Sequence, residues 1–106
     1  MRGDVHRLRT DRTARGHEQR GPRYGVVVQA TRYLHLSRWL VAPTSTSARP
    51  AVFRPEIVLQ TGSTLVLCDA TSAVDPELRL GDLAGHLTLD ELQRVDVALR
   101  GLLDLL

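Results

Sequence analysis

The segment "LTLDELQRVDVALRGLLDLL", 87–106, is the one stretch of this chain with a sustained helical period, and it stands last in the sequence. Thr88 and Glu91 form a Thr-x-x-Glu capping box at its head, and Asp90 adds negative charge to the first turn. Leu92, Val95, Leu99, Leu102, Leu103 and Leu106 then recur at helical spacing on one face. Gly101 costs the last turns about 1 kcal/mol relative to Ala. Ahead of this helix every apolar run is only strand-length. The chain is therefore expected to fold as a sheet of short strands against one terminal helix.

"DVHRLR" reads as a short strand, and "YGVVVQA" as a stronger one because three β-branched residues follow one another. A polar loop of about fifteen residues separates them, long enough in a compact fold to suggest a function. "SRWLVAPT" reads as a third strand stopped at Pro43, and "VFRPEIVL" as a fourth, which Pro55 assigns to an edge or a bulge. "STLVLCDA" is apolar enough to be central. "VDPELRL" reads as a turn or one helical turn with Pro76 near its start, followed by the short apolar piece "LAGHL". Together these give a mainly β (α+β) fold, a small, strongly bent antiparallel sheet closed by a terminal amphipathic helix. The length of 106 residues suits one core, hence one domain over 1–106.

Charge is divided unevenly. Residues 1–54 hold eleven Arg against three acids, whereas 55–106 hold three Arg against nine acids, formal charges of +8 and −6. If the fold gathers the arginines on one face, the basic half offers a surface to a polyanion. Every one of the fourteen basic residues is Arg, whose planar fork suits phosphates. No apolar run approaches the roughly 20 residues of a membrane span, and "MRGDVHRLRTDR" lacks a signal-peptide core, so a cytoplasmic location is expected. Cys68, the only cysteine, is expected to be a small buried hydrophobe.

There is no Gly-rich phosphate loop, no cysteine pair for zinc and no Ser-His-Asp pattern. His6, His17, His35 and His86 are too scattered for a familiar metal-ligand spacing, so neither metal nor cofactor is expected. What remains is the arginine-rich "GHEQRGPR" loop at 16–23, the hydroxyl cluster Thr44, Ser45, Thr46, Ser47, and nearby carboxylates.

Five pieces in order, "RGDV" at 2–5, "GHEQRGPRYGVVVQ" at 16–29, "VAPTSTS" at 41–47, "VLCDATSAVD" at 66–75 and "LAGHLTLDELQRVDVALRGLLDL" at 83–105, make the chain resemble the MazF/PemK family of toxin-antitoxin ribonucleases along essentially its whole length. The resemblance implies an SH3-like barrel with a C-terminal helix, a homodimer, and metal-independent cleavage of single-stranded RNA (mRNA, tRNA or rRNA) at short motifs. It also implies a cognate antitoxin, MazE-like, with an acidic toxin-binding segment. The family's active-site arginine corresponds to Arg23 and its catalytic hydroxyl to Thr44. Glu18 and His17 are candidate proton carriers or loop organisers, and Arg9, Arg12, Arg15, Arg20 and Ser45 would extend the RNA track. Departures from the family pattern are Tyr24 where a proline is usual, His17 where serine is common, and Ala70 where glutamine usually follows the aspartate.

The chemistry fits these residue types. Cleavage by the neighbouring 2′-hydroxyl needs that hydroxyl deprotonated, the pentavalent phosphate stabilised and the 5′-oxygen protonated. Arg23 is suited to grip the phosphate with paired N–H donors, and Thr44 to add a hydroxyl hydrogen bond. Tyr24, Tyr33 and Trp39 are the candidate platforms for base stacking. Two rivals stay open: a non-catalytic CcdB-like toxin that occupies DNA gyrase, and a degenerate relative that binds only antitoxin or RNA.

Overall fold

A computed structural model describes residues 1–9 and 23–105 of the chain. Seven strands precede or flank the long helix: β1 (Asp4–Leu8), β2 (Tyr24–Val27), β3 (Trp39–Ser45), β4 (Glu56–Leu59), β5 (Gly62–Val66), β6 (Ser72–Val74) and β7 (Leu80–His86). Helix α1 (Pro76–Arg79) joins β6 to β7, and α2 (Leu89–Leu102) follows β7. Short 3-10 turns lie at Thr31–Tyr33 and Cys68–Ala70. The strands pair antiparallel in the order β4-β5-β3-β2-β1-β7, with β6 also on β3. The sheet curls into a half-barrel, as the mainly β expectation required.

Strand β3 is the hub of this curl. Along one edge it pairs with β2, Gly25 opposite Pro43 and Val27 opposite Val41. Along the other, its first half pairs with β6 and its last two residues with β5, Thr44 opposite Val66 and Ser45 opposite Leu65. The expected stop at Pro43 is thus corrected: the strand runs two residues further. Proline removes one donor, but Pro43 stands where β3 passes from one partner to the next, and its carbonyl still accepts from the Leu67 N–H at 2.8 Å.

Two strands escape a reading of the sequence. β6 is only three residues long, and β7, in place of the short piece "LAGHL", carries Gly81, Asp82 and Gly85 with two register shifts against β1. Bulges break the period-two pattern on which recognition of a strand depends. The expected fourth strand is shortened to Glu56–Leu59, which is an edge strand as Pro55 suggests, and β5 lies inside the sheet between β4 and β3.

Alternation along β2 divides the apolar side chains between two faces. Val26 and Val28 join Val5, Ala42, Ile57, Val66, Cys68, Leu87, Val95 and Ala98 in the core beneath α2. Val27 turns the other way, to Val41 and Leu80, with Leu8, Leu34, Trp39 and Val74 packed around them. Complete burial of such a side chain stabilises by roughly 1.5–3 kcal/mol. Gly25 is required for close approach: a Cβ there would lie 2.7 Å from Val41 Cγ1 and 2.8 Å from Leu8 Cδ2.

The capping box forms as expected, with Glu91 N–H donating to Thr88 Oγ1 at 3.1 Å and Thr88 N–H donating to Glu91 Oε1 at 2.9 Å. The second carboxylate oxygen of Glu91 accepts from the Val58 N–H at 2.8 Å, and Arg94 donates to the Glu56 carbonyl. Side chains of α2 thereby occupy the open edge of β4, which would otherwise be free to pair with another chain. The apolar stripe is shorter than expected. Leu103 is the C-cap and is exposed, Asp104 adopts a left-handed φ of 54°, and the buried face is carried by Glu91, Val95 and Ala98. Leu106 lies outside the described residues.

Candidate functional site

Arg23 stands at the head of β2, where the β1–β2 ladder closes: its carbonyl accepts from the Leu8 N–H at 2.8 Å. The residue is half-buried, and its Nε is buried with no hydrogen-bond partner among the described residues. A buried donor on a permanently charged group costs about 1–3 kcal/mol or more when it finds no acceptor. An anionic oxygen is the acceptor that would offset that cost most fully.

Thr44 is the penultimate residue of β3 and is only 5% exposed. Continuing the β2–β3 register past Gly25–Pro43 sets Tyr24 at the level of Thr44 and Arg23 at the level of Ser45. On the backbone Arg23 and the hydroxyl pair both lie just beyond Gly25–Pro43, the last pair of that ladder, and from Thr44 onward β3 pairs with β5. No hydrogen bond joins their side chains among the described residues. Ser45 already has structural work, since its Oγ accepts from the N–H groups of Ser47 at 3.2 Å and Ala48 at 3.1 Å. This serine turn ends β3 and directs the chain toward Arg49.

The remaining expected site residues divide sharply. Arg12, Arg15, His17, Glu18 and Arg20 lie outside the described residues. Arg9 is exposed and leads away from β1 with its guanidinium donating to the Glu77 carbonyl at 2.9 Å, on α1. Among the stacking candidates, Tyr24 packs against the core beneath α2 and Trp39 against the second cluster, whereas Tyr33 is 48% exposed with Arg32 stacked over its ring. Residues 10–22 apart, His6, set aside in the sequence as one of four scattered histidines, comes near the candidate site. It sits directly opposite Gly25 on the β1–β2 ladder, two residues from the pair formed by Leu8 and Arg23. Its place in the strand reading of "DVHRLR", two residues before Leu8 and so on the same face, was the available signal.

Asp69, beside the departure at Ala70, is fixed by Arg54, whose Nε and Nη2 reach its two oxygens at 3.1 and 2.9 Å. This fork-to-fork hydrogen bonding holds the Asp69 carboxyl below its ordinary value and raises that of Arg54. Cys68 is buried as expected, and burial, assisted by the Asp69 charge, pushes its thiol up to about 11. At neutral pH it is a thiol and a poor nucleophile. Among the described residues no group of three or more His, Cys, Asp or Glu could hold a metal ion, and no helix is long and apolar enough to cross a membrane.

A curled antiparallel half-barrel closed by one terminal helix is the fold of the MazF toxins. Mycobacterium tuberculosis toxin MazF-mt6 superposes with a TM-score of 0.77 over 96% of this chain and 97% of its own, at 20% identity. A mycobacterial endoribonuclease in complex with its cognate antitoxin gives 0.79 over 100% and 96%, at 20% identity. MazF from Deinococcus radiodurans gives 0.78 over 98% and 96%, at 24% identity. In sequence, a toxin candidate of Mycobacterium tuberculosis strain H37Rv, Rv3098A, is 40% identical over 98 residues, 92% of each chain. Residues 1–103 match the pattern of PemK-like, MazF-like toxins of type II toxin-antitoxin systems, and the chain belongs to that family.

Proposed function

We propose that residues 1–106 form one toxin domain that acts in the cytoplasm as a metal-independent, sequence-selective endoribonuclease, cutting single-stranded RNA and so arresting translation and growth. The observation that carries this reading is the buried Nε of Arg23, without an acceptor among the described residues, at the head of β2. A phosphodiester oxygen supplies the missing acceptor and the opposite charge together. Family membership and the mycobacterial relative named an endoribonuclease point the same way.

In this mechanism the 2′-oxygen attacks the adjacent phosphorus, the O2′–P bond forms, and the P–O5′ bond breaks to leave a cyclic phosphate and a 5′-hydroxyl. Arg23 grips a non-bridging oxygen, and its grip tightens as charge accumulates in the pentavalent state. Thr44 adds a hydroxyl at the end of β3. Glu18 and His17 are the proton carriers or loop organisers of the proposal, and Arg9, Arg12, Arg15, Arg20 and Ser45 line the track for the strand. Phosphate contacts of this kind weaken steeply with added salt. The active form is a homodimer held in check by an acidic, MazE-like antitoxin that meets the same arginines.

The test is to incubate the full chain and its Arg23→Ala variant with a long single-stranded RNA in EDTA and to map the new ends. Recurrent cuts at a short motif, absent in the variant, are the expected result. A variant that cuts as fast as the parent removes Arg23 from the site; a parent that cuts nothing overturns the nuclease reading.

A further inference from the structure

A cleft of about 590 Å³ opens between β1, β7, α1 and the segment leading into β3, with Trp39, His6, His35, Asp75, Glu77 and Leu80 among its walls. We propose that it is a nucleobase pocket, selective for bases that carry an exocyclic amino group, for the strand whose phosphate is held at Arg23. The proposal rests on reading the protein as an RNA-binding toxin and adds to it a base-reading site.

Position is the first argument. His6 lies opposite Gly25 and Leu8 hydrogen-bonds to Arg23, so the cleft wall and the arginine are separated by two residues, roughly 7 Å of strand. A base can therefore enter the cleft while a neighbouring phosphate meets Arg23. The second argument is a rigid aromatic wall. The Trp39 indole N–H donates to the Leu34 carbonyl at 2.9 Å, which fixes a half-buried ring against which a base can stack at little entropic cost.

The third argument is the polarity of the lining. His6 Nδ1 is 3.1 Å from the Gly81 carbonyl, and His35 Nδ1 is 3.1 Å from the Arg32 carbonyl. A carbonyl only accepts, so in each ring Nδ1 is the donor of this contact, which turns the ring's other edge toward the cleft. Asp75 uses Oδ1 to accept from the Glu77 N–H at 3.0 Å, which leaves its other oxygen and the whole Glu77 carboxylate as acceptors. Such a lining matches the amino groups of adenine, cytosine or guanine. Uracil, which presents one N–H between two carbonyl oxygens, meets acceptors with acceptors.

Trp39 is the only tryptophan in the chain, so its fluorescence reports directly on this cleft. The experiment titrates the full chain with 2′-O-methyl pentamers of adenosine, cytidine and uridine, which cannot be cleaved because the attacking hydroxyl is blocked. The adenosine or cytidine pentamer should give a saturable change, with binding of the uridine pentamer at least about fivefold weaker. In the double variant His35→Phe, Glu77→Gln, both at exposed positions, that gap should close to within about twofold. Arg23→Ala should weaken all three pentamers alike and keep their order. A Trp39 signal that ignores the pentamers, or treats all three equally, overturns the pocket, even where the parent still cuts RNA. A base-ordered signal from a protein that cuts no RNA keeps the pocket and sinks the nuclease instead. A signal that follows protein dilution alone assigns the cleft to a second copy and overturns the proposal.

Discussion

Replacing Arg23 with methionine should move stability and activity in opposite directions. In the free protein the Arg23 Nε is buried with no partner among the described residues, a desolvation cost of about 1–3 kcal/mol. Methionine keeps most of the apolar stem and removes the guanidinium, so Arg23→Met should stabilise the fold by about 1 kcal/mol after allowance for lost stem contacts. With a urea dependence of about 1–3 kcal/mol per molar for a protein of this size, the unfolding midpoint should rise by roughly 0.3–1 M. RNA cleavage should fall at least 10²–10³-fold, about the loss expected from one preorganised donor to a developing oxyanion. Equilibrium urea unfolding followed by Trp39 fluorescence and far-UV circular dichroism gives the first number, and a single-turnover RNA assay the second. A variant that is destabilised by 1 kcal/mol or more refutes the orphaned-donor argument. One that is stabilised yet cuts at the parental rate refutes the catalytic assignment alone.

Three further outcomes follow from the packing. Glu91→Gln should destabilise by about 2 kcal/mol, because one amide oxygen cannot serve both Thr88 N–H and Val58 N–H and the NH₂ group is turned against the second donor; a midpoint within experimental error of the parent would show that the carboxylate does not tie α2 to β4. The lowered carboxyl of Asp69 contributes stability that is present above the ordinary aspartate value of 3.8 and is lost as pH falls through its lower folded value. Asp69→Asn should therefore flatten the acid limb of the stability–pH profile below about pH 4, and an unchanged limb would remove the Arg54 pair from the account. Cys68, with its thiol near 11 and 3% exposed, should react with iodoacetamide at pH 8 only at the rate of opening. Fast labelling of the folded protein would contradict its burial.

The helix was legible because capping and period agree in one segment: Thr88, Glu91, Leu92, Val95 and Leu99 all point to α2. Val26 and Val27 were legible as strand because β-branched residues follow one another there. The final turn was misread because leucines continue the helical spacing through Leu103 and Leu106 after the backbone has already turned at Asp104. Strand β7 was missed because its pairing with β1 is interrupted by register shifts, and β6 because three residues carry no period. The sequence also names Arg23 and Thr44 by residue type, and the structure sets one just before β2 and the other near the end of β3, the positions on which the proposed site rests. What no pattern showed was that His6, 17 residues away in sequence, returns to the same ladder.

The division of charge between the two halves of the chain also looks different once folded. A basic half and an acidic half suggest a broad cationic face, yet several members of each are spent on the other. Arg2 meets Asp96 at 2.6 Å, Arg54 meets Asp69, and His86 meets Asp4 at 2.7 Å. Within the acidic half Arg94 pairs with Asp90, and Glu91 is buried against backbone amides. The first two pairs tie the segment before β1 to α2 and the turn after β5 to the loop before β4, and the third joins β1 to β7. The surface that remains for a polyanion is therefore narrower than the count of arginines implies. In such a fold the informative feature is a guanidinium nitrogen that is buried yet has no acceptor. Among the described residues the buried Nε of Arg23 meets that description, so under the proposed function its energetic cost to the free protein and its value to an RNA-bound one would be the same feature in two states.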